Sequence, residues 1–247
     1  MGRSFKMPNR NSVVQAVILA GGLGTRLRPY TFLLPKPMLP VGPKPIMEHI
    51  LDWLKRNGIS EVVVSTGYLG KMLQDYFGDG SEWDMQIEYA TSRHPLGIAG
   101  QLKAAEDKIR GRFVCLYGDA ILDFDLRKAI DFHEKKKAEM TMVLMNYSTE
   151  MKYGFMETDR TGKLTDWKEK PTVTGLINVG CFVMEKSFLR YIPGKRMWGM
   201  RETFEQAMKS GARLYAIKMK GEFLDIGDRK AYREANDVYM RKMGKVL

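Results

Sequence analysis

The chain of 247 residues is poor in the side chains that build cysteine- and histidine-based metal centres, with two cysteines and three histidines. No CxxC or HxxxH spacing occurs, which excludes such a centre. Cys115 and Cys181 lie within apolar segments typical of buried strands, so we expect reduced thiols and a cytoplasmic protein. His49 and His133 fall in predicted helices and are interpreted as structural.

Long hydrophobic runs are also absent. No apolar segment approaches the ~18 residues that a membrane helix needs, so no membrane partner is predicted. Basic residues before the apolar residues 13–20 imitate a short signal peptide. That apolar run ends inside a glycine-rich motif, however, and cleavage there would destroy it. We therefore interpret Met1–Ser12 as a leader before the first strand.

Acidic residues are outnumbered, with 29 Asp and Glu against 40 Lys and Arg and a net charge of +11. Such an excess is one signature of nucleic-acid binding. Here the basic residues are spread along the chain, and the one run of three, residues 135–137, lies at a predicted helix end that favours cations. We predict anionic substrates, which explain part of the charge, and no nucleic-acid partner.

Glycine and proline are concentrated where an apolar run, Ala16–Ala20, enters residues 21–24 (GGLG) and a proline-rich loop. An apolar run bounded by glycine is typical of a strand buried on both faces. Glycines let the backbone turn sharply and bring N–H groups close to an anion. Positive charge follows at Arg26, Arg28 and Lys36. The pattern predicts a phosphate-handling loop at the carboxyl end of a sheet strand.

Two better-known phosphate loops do not fit this segment. The P-loop needs Gly-Lys followed by Ser or Thr, which occurs nowhere in the chain. The dinucleotide fingerprint G-x-G-x-x-G fails at Leu27, which stands where the third glycine allows close helix packing. Arg26 and Pro29 further disturb the expected helix start.

Strand and helix signals alternate up to about residue 146, which predicts a parallel, doubly wound, Rossmann-like sheet with helices on both faces. After Tyr153 the pattern changes to a predicted β-hairpin. The expected strands are 16–20, 61–65, 85–89, 112–117, 139–146, 155–158, 164–168, 177–184 and 213–218. The expected helices are 45–57, 69–77, 96–109, 125–137, 186–191, 201–209 and 228–243.

Two acidic residues follow predicted strands or interrupt apolar segments. Asp119 comes directly after the strand RFVCLY and Gly118, at the edge where open α/β sheets bind ligands. Asp225 stands in EFLDIG, among apolar residues and before a glycine. Either residue alone is also compatible with a turn or a helix cap.

The motif GG-x-G-T-R-L-x-P-x-T followed by P-K-P-M-L-P-V resembles the sugar-1-phosphate nucleotidyltransferases, and the resemblance spans roughly residues 14–236. In that family an NTP and a sugar 1-phosphate yield a nucleotide sugar and pyrophosphate. The resemblance implies that Arg26 holds the triphosphate and that Lys36 lies near the α-phosphate. It also implies nucleotide contacts by Gly21, Gly22, Gly24 and Thr25.

The same resemblance extends to a metal site and a sugar site. Asp119 and Asp225 match the family's two metal-binding aspartates, which implies Mg²⁺ held by these carboxylates and substrate phosphate. Glu169 and Lys170, in Glu-Lys-Pro, match the pair that binds sugar hydroxyls and the sugar phosphate. The further implied sugar contacts are Gly154 and Asn178. The hairpin is then a sugar-binding extension of the sheet.

The base and the sugar stay open at this point. Residues 95–100 (PLGIAG) resemble the turn whose glycine, here Gly97, lies against the base, and their form favours mannose-1-phosphate guanylyltransferases. Ile98 replaces the usual threonine, and Ser92 stands where many members carry a glutamine or glutamate. Residues 117–133 resemble glucose-1-phosphate cytidylyltransferases instead. Thymidylyl and uridylyl transfer to glucose 1-phosphate also stay open.

The chain is expected to form one domain, 1–247. Its nucleotide-binding half is 13–150, and 151–247 is the sugar-phosphate-binding half with the C-terminal helix. No C-terminal β-helix, and hence no acyltransferase activity, is expected. The alternative is a catalytically silent regulatory member of the same fold, against which the presence of Arg26, Lys36, Asp119 and Asp225 argues. The sequence is compatible with a homo-oligomer and gives no oligomeric state.

Overall fold

The structure, a computed structural model, describes residues 15–92, 94–194 and 196–244. The predicted leader, Met1–Ser12, lies outside the described residues. The strands are β1 Gln15–Leu19, β2 Pro40–Val41, β3 Lys44–Pro45, β4 Glu61–Thr66, β5 Gln86–Thr91, β6 Phe113–Tyr117, β7 Ala120–Asp123, β8 Met140–Glu150, β9 Phe155–Thr158, β10 Leu164–Lys168, β11 Thr172–Met184, β12 Leu214–Lys218 and β13 Glu222–Asp225.

Helices alternate with these strands through most of the chain. The α-helices are α1 Tyr30–Leu33, α2 Ile46–Arg56, α3 Gly70–Phe77, α4 Gly97–Ala104, α5 Leu126–Lys136, α6 Met200–Lys209 and α7 Arg229–Met243. Short 3-10 helices cover Thr25–Leu27, Lys36–Met38, Ser81–Trp83, Glu106–Lys108 and Lys186–Tyr191. Within the described residues, no helix is both long and apolar enough to cross a membrane.

A seven-stranded sheet in the order β12-β8-β11-β6-β1-β4-β5 forms the centre of the fold. Strand β1 pairs in parallel with β4 and β6, and β4 pairs in parallel with β5. Strand β11 is antiparallel to both β6 and β8, whereas β12 runs parallel to β8. The predicted mostly parallel, doubly wound α/β sheet is therefore confirmed.

The core has two layers, one on each face of the sheet. Val17 and Cys115 pack into one layer, while Ile18 and Leu116, the next residue of each strand, pack into the other. Successive strand residues point to opposite faces, so a strand covered on both sides is apolar at successive positions rather than alternate ones. All of β1 is buried, as the apolar run predicts.

Several predicted elements differ in extent or type. Helix α4 ends at Ala104, and Ile109 adopts an extended backbone and is buried in the core. Strand β11 begins at Thr172 because it pairs with β8, which itself continues past its predicted end to Glu150. Residues 186–191 form a 3-10 helix rather than an α-helix.

The C-terminal helix fixes the loop between Lys36 and α2. Asp228 caps α7 by accepting hydrogen bonds from the backbone N–H groups of residues 230 and 231. The Tyr232 hydroxyl donates to the Pro40 carbonyl over 2.7 Å, and the Gly42 N–H donates to Asn236 Oδ1 over 3.0 Å. Ribbon β2–β3 is therefore held against α7.

Both cysteines are free thiols buried in the sheet, as the sequence predicts. Burial raises the pKa of each thiol because the thiolate would lose its hydration. Neither thiol has the lowered pKa of a reactive cysteine.

His133 on α5 is fully buried and serves packing, in keeping with its interpretation as structural. Its Nδ1 lies 2.9 Å from Thr141 Oγ1, and its Nε2 lies 3.3 Å from Glu185 Oε1. The Arg112 guanidinium also donates to Glu185, over 2.7 Å. Burial, opposed by Glu185 and assisted by the Arg112 charge, lowers the pKa of His133 from its usual 6.5.

This lowered pKa predicts a pH-dependent stability. The unfolded chain takes up the His133 proton at a higher pH than the folded chain does. The contribution of the neutral imidazole is therefore fully present above about pH 6.5 and is lost as the pH falls below it. We expect His133→Gln to lose less unfolding free energy than the unmodified protein between pH 7.5 and pH 5, as measured by urea denaturation. Equal losses in the two proteins would contradict this assignment.

Candidate active site

The glycine loop and Asp119 leave neighbouring strands at the same edge of the sheet. Leu19, the last residue of β1, pairs with Tyr117, the last residue of β6. Beyond them, the Gly118 N–H donates to the Leu19 carbonyl over 3.0 Å. Parallel strands end at a common edge, so the loops that follow are side by side.

Lys36 and Asp119 form a direct ion pair at this edge. The distance from Lys36 Nζ to Asp119 Oδ2 is 2.7 Å. The Lys36 side chain is 11% exposed, whereas that of Asp119 is 36% exposed and open to a ligand. A 3-10 turn directs Lys36 inward, with Pro35 and Pro37 on either side. The sequence predicts both residues at the site, and the structure brings them together.

A two-stranded ribbon, β7–β13, which the sequence did not predict, brings Asp225 close to Asp119. Strand β13 pairs antiparallel with β7, with Asp225 opposite Ala120. The Ile226 N–H then donates to the backbone carbonyl of Asp119 over 3.1 Å. A Cβ atom on Gly227 would lie 2.8 Å from Asp225 Oδ2, so glycine leaves room for the carboxylate.

The charges of the other predicted site residues affect the pKa of Asp225. Desolvation by the cleft walls raises the pKa of Asp225, and the carboxylate of Asp119 raises it further. Lys36 and Arg26 act in the opposite direction and lower this pKa. Two carboxylates and two cations thus interact in one small region at the end of the sheet.

Two cavities meet at Asp119. A cleft of about 1080 Å³ is lined by Arg26, Asn178 and Asp225, among others. A smaller cavity of about 160 Å³ is lined by Gly22 and Lys36. Residues common to both are Ile98, Tyr117 and Asp119. A ligand that fills both cavities would pass directly over the Lys36–Asp119 pair.

Backbone conformation explains the glycines of the loop. Gly24 has a left-handed conformation with φ of 60°, and its carbonyl accepts a hydrogen bond from Thr31 Oγ1 over 2.8 Å. Thr25 begins the next 3-10 turn. Gly97 has φ of +65°, and a Cβ atom there would lie 2.6 Å from the Trp198 carbonyl oxygen. The left-handed backbone favours glycine at both positions, and at Gly97 the close Trp198 backbone also leaves no room for a Cβ atom.

Gly21 differs from the expectation that the N–H groups of the loop face an anion. Its N–H donates to Oε1 of Gln101 over 2.9 Å. Gln101 lines the smaller cavity, yet sequence reasoning did not select it. The available signal was its position on α4, four residues after Gly97 and thus on the same helix face.

Three of the four predicted sugar-site residues, Gly154, Glu169 and Lys170, flank the hairpin β9–β10, and the fourth, Asn178, lies on β11. Glu169 Oε2 accepts a hydrogen bond from the Trp167 indole over 3.2 Å, and a Cβ atom on Gly154 would lie 2.9 Å from that same oxygen. Lys170 has a left-handed backbone with φ of 42°. Among the described residues, Asn178 lines the larger cleft, whereas Gly154, Glu169 and Lys170 do not.

The comparison with known proteins agrees with this geometry. The sequence matches the nucleotidyl transferase family over residues 15–242. The chain belongs to this family. The resemblance in the glycine and proline motif is thereby confirmed, and nucleotide and sugar phosphate substrates fit the family.

Individual relatives differ in length and in the reaction that their names state. A UTP–glucose-1-phosphate uridylyltransferase of Synechocystis is 34% identical over 90% of this chain, which spans 62% of that protein. The D-glycero-α-D-manno-heptose 1-phosphate guanylyltransferase of Aneurinibacillus thermoaerophilus is 33% identical, with 90% of this chain and 96% of that protein covered.

A solved structure supports the fold of this family member. HddC from Yersinia pseudotuberculosis, complexed with GMP-PN, superposes with a TM-score of 0.73 and covers 92% of this chain and 99% of that one. The two sequences are 24% identical. This likeness concerns the fold alone.

Proposed function

We propose that the protein is a sugar-1-phosphate nucleotidyltransferase that converts an NTP and a hexose 1-phosphate into a nucleotide sugar and pyrophosphate. The observation that carries the proposal is the position of the Lys36–Asp119 pair, where the smaller cavity meets the larger cleft. Uridylyl- and guanylyltransferases among the relatives support the reaction class.

In this reaction an oxygen of the sugar phosphate attacks the α-phosphorus of the NTP. The new P–O bond forms as the bond to the β-phosphate oxygen breaks, and pyrophosphate leaves. The attacking phosphate is already anionic near neutral pH, so no general base is required. Phosphoryl transfer needs positioning and charge stabilisation, which Lys36 on the α-phosphate and Arg26 on the triphosphate would supply.

Mg²⁺ is the proposed cofactor, held by Asp119 and Asp225. The Asp119 carboxylate raises the pKa of Asp225 in the cleft, and a divalent cation between the two would relieve that repulsion. Within the described part of the chain, no cluster of three or more metal-ligating side chains occurs. Two carboxylates fit Mg²⁺, which completes its shell with water and substrate phosphate. The bound ion would neutralise phosphate charge.

The base and the sugar need an experiment because the relatives differ in both. Pyrophosphate release should be measured with Mg²⁺, crossing ATP, CTP, GTP, UTP and dTTP against glucose 1-phosphate, mannose 1-phosphate and D-glycero-α-D-manno-heptose 1-phosphate. We expect release for a small number of pairs. The absence of release from every pair, with the protein folded, would favour the catalytically silent regulatory member and contradict the proposal.

Lys170 provides a test of the proposed sugar-phosphate site. Lys170 is exposed just after the hairpin strand β10, and its ammonium group is assigned to the phosphate of the sugar substrate. We expect Lys170→Ala to raise the KM for sugar 1-phosphate about tenfold or more, and that for the NTP by less than about twofold. Lys163→Ala, in the turn of the same hairpin, is the matched control and should change neither value. A larger effect on the KM for the NTP would remove Lys170 from this role.

A further inference from the structure

Gln101 is held in place at both its backbone and its side chain. Its carbonyl accepts a hydrogen bond from Ser65 Oγ over 3.2 Å, and its Oε1 accepts the Gly21 N–H over 2.9 Å. A Cβ atom on Gly21 would lie 2.8 Å from Oε1, so glycine is what allows this approach. The residue as a whole is 9% exposed, so its side chain cannot move freely into solvent.

The hydrogen bond from Gly21 distinguishes the oxygen of the Gln101 carboxamide from its nitrogen. A glutamine side chain has one oxygen that accepts and one NH₂ group that donates. Because an N–H donor must meet the oxygen, the Gly21 contact assigns Oε1, and the NH₂ group is what remains to offer a ligand. The Gly21 N–H is bonded to Gln101 and therefore does not face a ligand. The NH₂ group of Gln101 takes its place as the donor beside the cavity.

The small cavity beside Gln101 has a charged part and an apolar part, which correspond to the phosphate and the base of a nucleotide. Lys36 and Asp119 are its charged residues, and the apolar or aromatic ones include Leu19, Ile98 and Tyr117. Gln101 is the only carboxamide among the described residues that line it. A nucleotide likewise has a charged phosphate, a base with apolar faces and a hydrogen-bonding edge. Ligand pockets are typically apolar with a few fixed polar groups that set specificity.

We propose that the Gln101 NH₂ group reads a ring carbonyl oxygen of the base and thereby selects against adenine. This inference rests on the proposed function, since it takes the ligand to be an NTP. Guanine, uracil, thymine and cytosine each carry a ring carbonyl oxygen, whereas adenine carries none. A buried donor left without an acceptor by the wrong base weakens that complex, which is an effective means of discrimination.

The variant Gln101→Glu isolates this role. Glutamate keeps an oxygen that accepts the Gly21 N–H but replaces the NH₂ donor by a second acceptor. Its added charge would weaken every triphosphate, so inorganic tripolyphosphate, which has no base, measures that charge effect separately. Gln206→Glu, at an exposed position on α6, is the matched charge control.

Equilibrium dissociation constants for GTP, UTP, dTTP, CTP, ATP and tripolyphosphate should be measured by calorimetry in all three proteins. We expect the unmodified protein to bind its preferred nucleotide at least about tenfold more tightly than ATP. In Gln101→Glu that preference should fall to about threefold or less after correction by tripolyphosphate, while Gln206→Glu should retain it. Retention in Gln101→Glu would overturn the inference, as would a preference for ATP in the unmodified protein.

Pyrophosphate release by the unmodified protein separates this inference from the proposed function. Turnover together with an unchanged base preference in Gln101→Glu would refute only the role of Gln101. If no nucleotide binds more tightly than tripolyphosphate and no pyrophosphate is released, both fail. Thermal unfolding of Gln101→Glu close to that of the unmodified protein would show that the Gly21 hydrogen bond is kept.

Discussion

Replacing Asp119 by asparagine is expected to lower turnover by at least about 10³-fold, which corresponds to about 4 kcal/mol of transition-state stabilisation. Asparagine has nearly the same shape but lacks the negative charge that pairs with Lys36 and would hold Mg²⁺. Of the predicted site residues, Asp119 lines both cavities, so its loss affects the point where the two substrates meet.

The fold should tolerate this change. The backbone carbonyl of Asp119, which receives the Ile226 N–H, is unaffected by a change of side chain. The ion pair with Lys36 is partly exposed and contributes modestly to stability. The melting temperature of Asp119→Asn should therefore stay within a few degrees of that of the unmodified protein.

Asp123→Asn is the matched control because Asp119 directly precedes strand β7, whereas Asp123 is the last residue of that strand. Its carboxylate is exposed and lies 3.4 Å from Arg56. We expect Asp123→Asn to keep nearly full pyrophosphate release over a range of Mg²⁺ concentrations. Loss of less than about tenfold in Asp119→Asn, or equal losses in both variants, would remove Asp119 from the reacting centre.

The central sheet and its ligand edge were predictable because they depend on short-range sequence patterns. Four of the five residues of strand β1, Ala16–Leu19, are apolar, as is typical of a strand with two covered faces. Asp119 was predictable for the same reason, since the residue after a buried parallel strand lies at the ligand edge. Neither inference needs knowledge of which distant segments meet.

The elements that escaped prediction depend on contacts between distant segments. Strands β7 and β13 have four residues each and pair across about a hundred residues of chain. Such short segments carry too little periodicity to be recognised alone. The contact between Gly21 and Gln101 also spans 80 residues and depends on how α4 packs on the sheet. Side-chain anchoring of this kind follows from tertiary structure rather than from a local motif.

The hairpin β9–β10 shows another limit to what can be predicted from the sequence. Its strands and turn were predicted correctly, because Asp159 to Gly162 form a typical turn between two strand segments. The position of Glu169 and Lys170 relative to the cleft was not predictable, since a projecting hairpin has few contacts that fix its orientation. The sugar side of the site therefore depends on experiment more than the nucleotide side does.

Replacing Lys36 by methionine is the second change with a large expected effect, a loss of about 10²- to 10³-fold in turnover. Methionine keeps most of the length of the buried stem and removes the ammonium group assigned to the α-phosphate. The Lys36 Nζ also lies 2.7 Å from Asp119 Oδ2, so its removal leaves the carboxylates of Asp119 and Asp225 with one compensating cation fewer.

The pH dependence distinguishes this electrostatic role from simple loss of packing. Lys36 lowers the pKa of Asp225, so the pKa rises further above its usual value when Lys36 is removed. Asp225 must be ionised to hold a cation, and a raised pKa means that the ionised form is lost at a higher pH as the solution is acidified. The acidic limb of the activity profile should therefore shift upward in Lys36→Met.

Lys36→Arg restores the positive charge and should return the acidic limb close to its original position, even where turnover recovers only in part because the guanidinium has a different shape. The measurement is the rate of pyrophosphate release between pH 4.5 and pH 8 at saturating Mg²⁺ for the unmodified protein and both variants. A limb that stays in place in Lys36→Met, or that shifts equally in Lys36→Arg, would mean that Lys36 does not set the charge state of Asp225. The site would then need a different source of charge compensation, for which Arg26 is the next candidate, since it too lowers the pKa of Asp225.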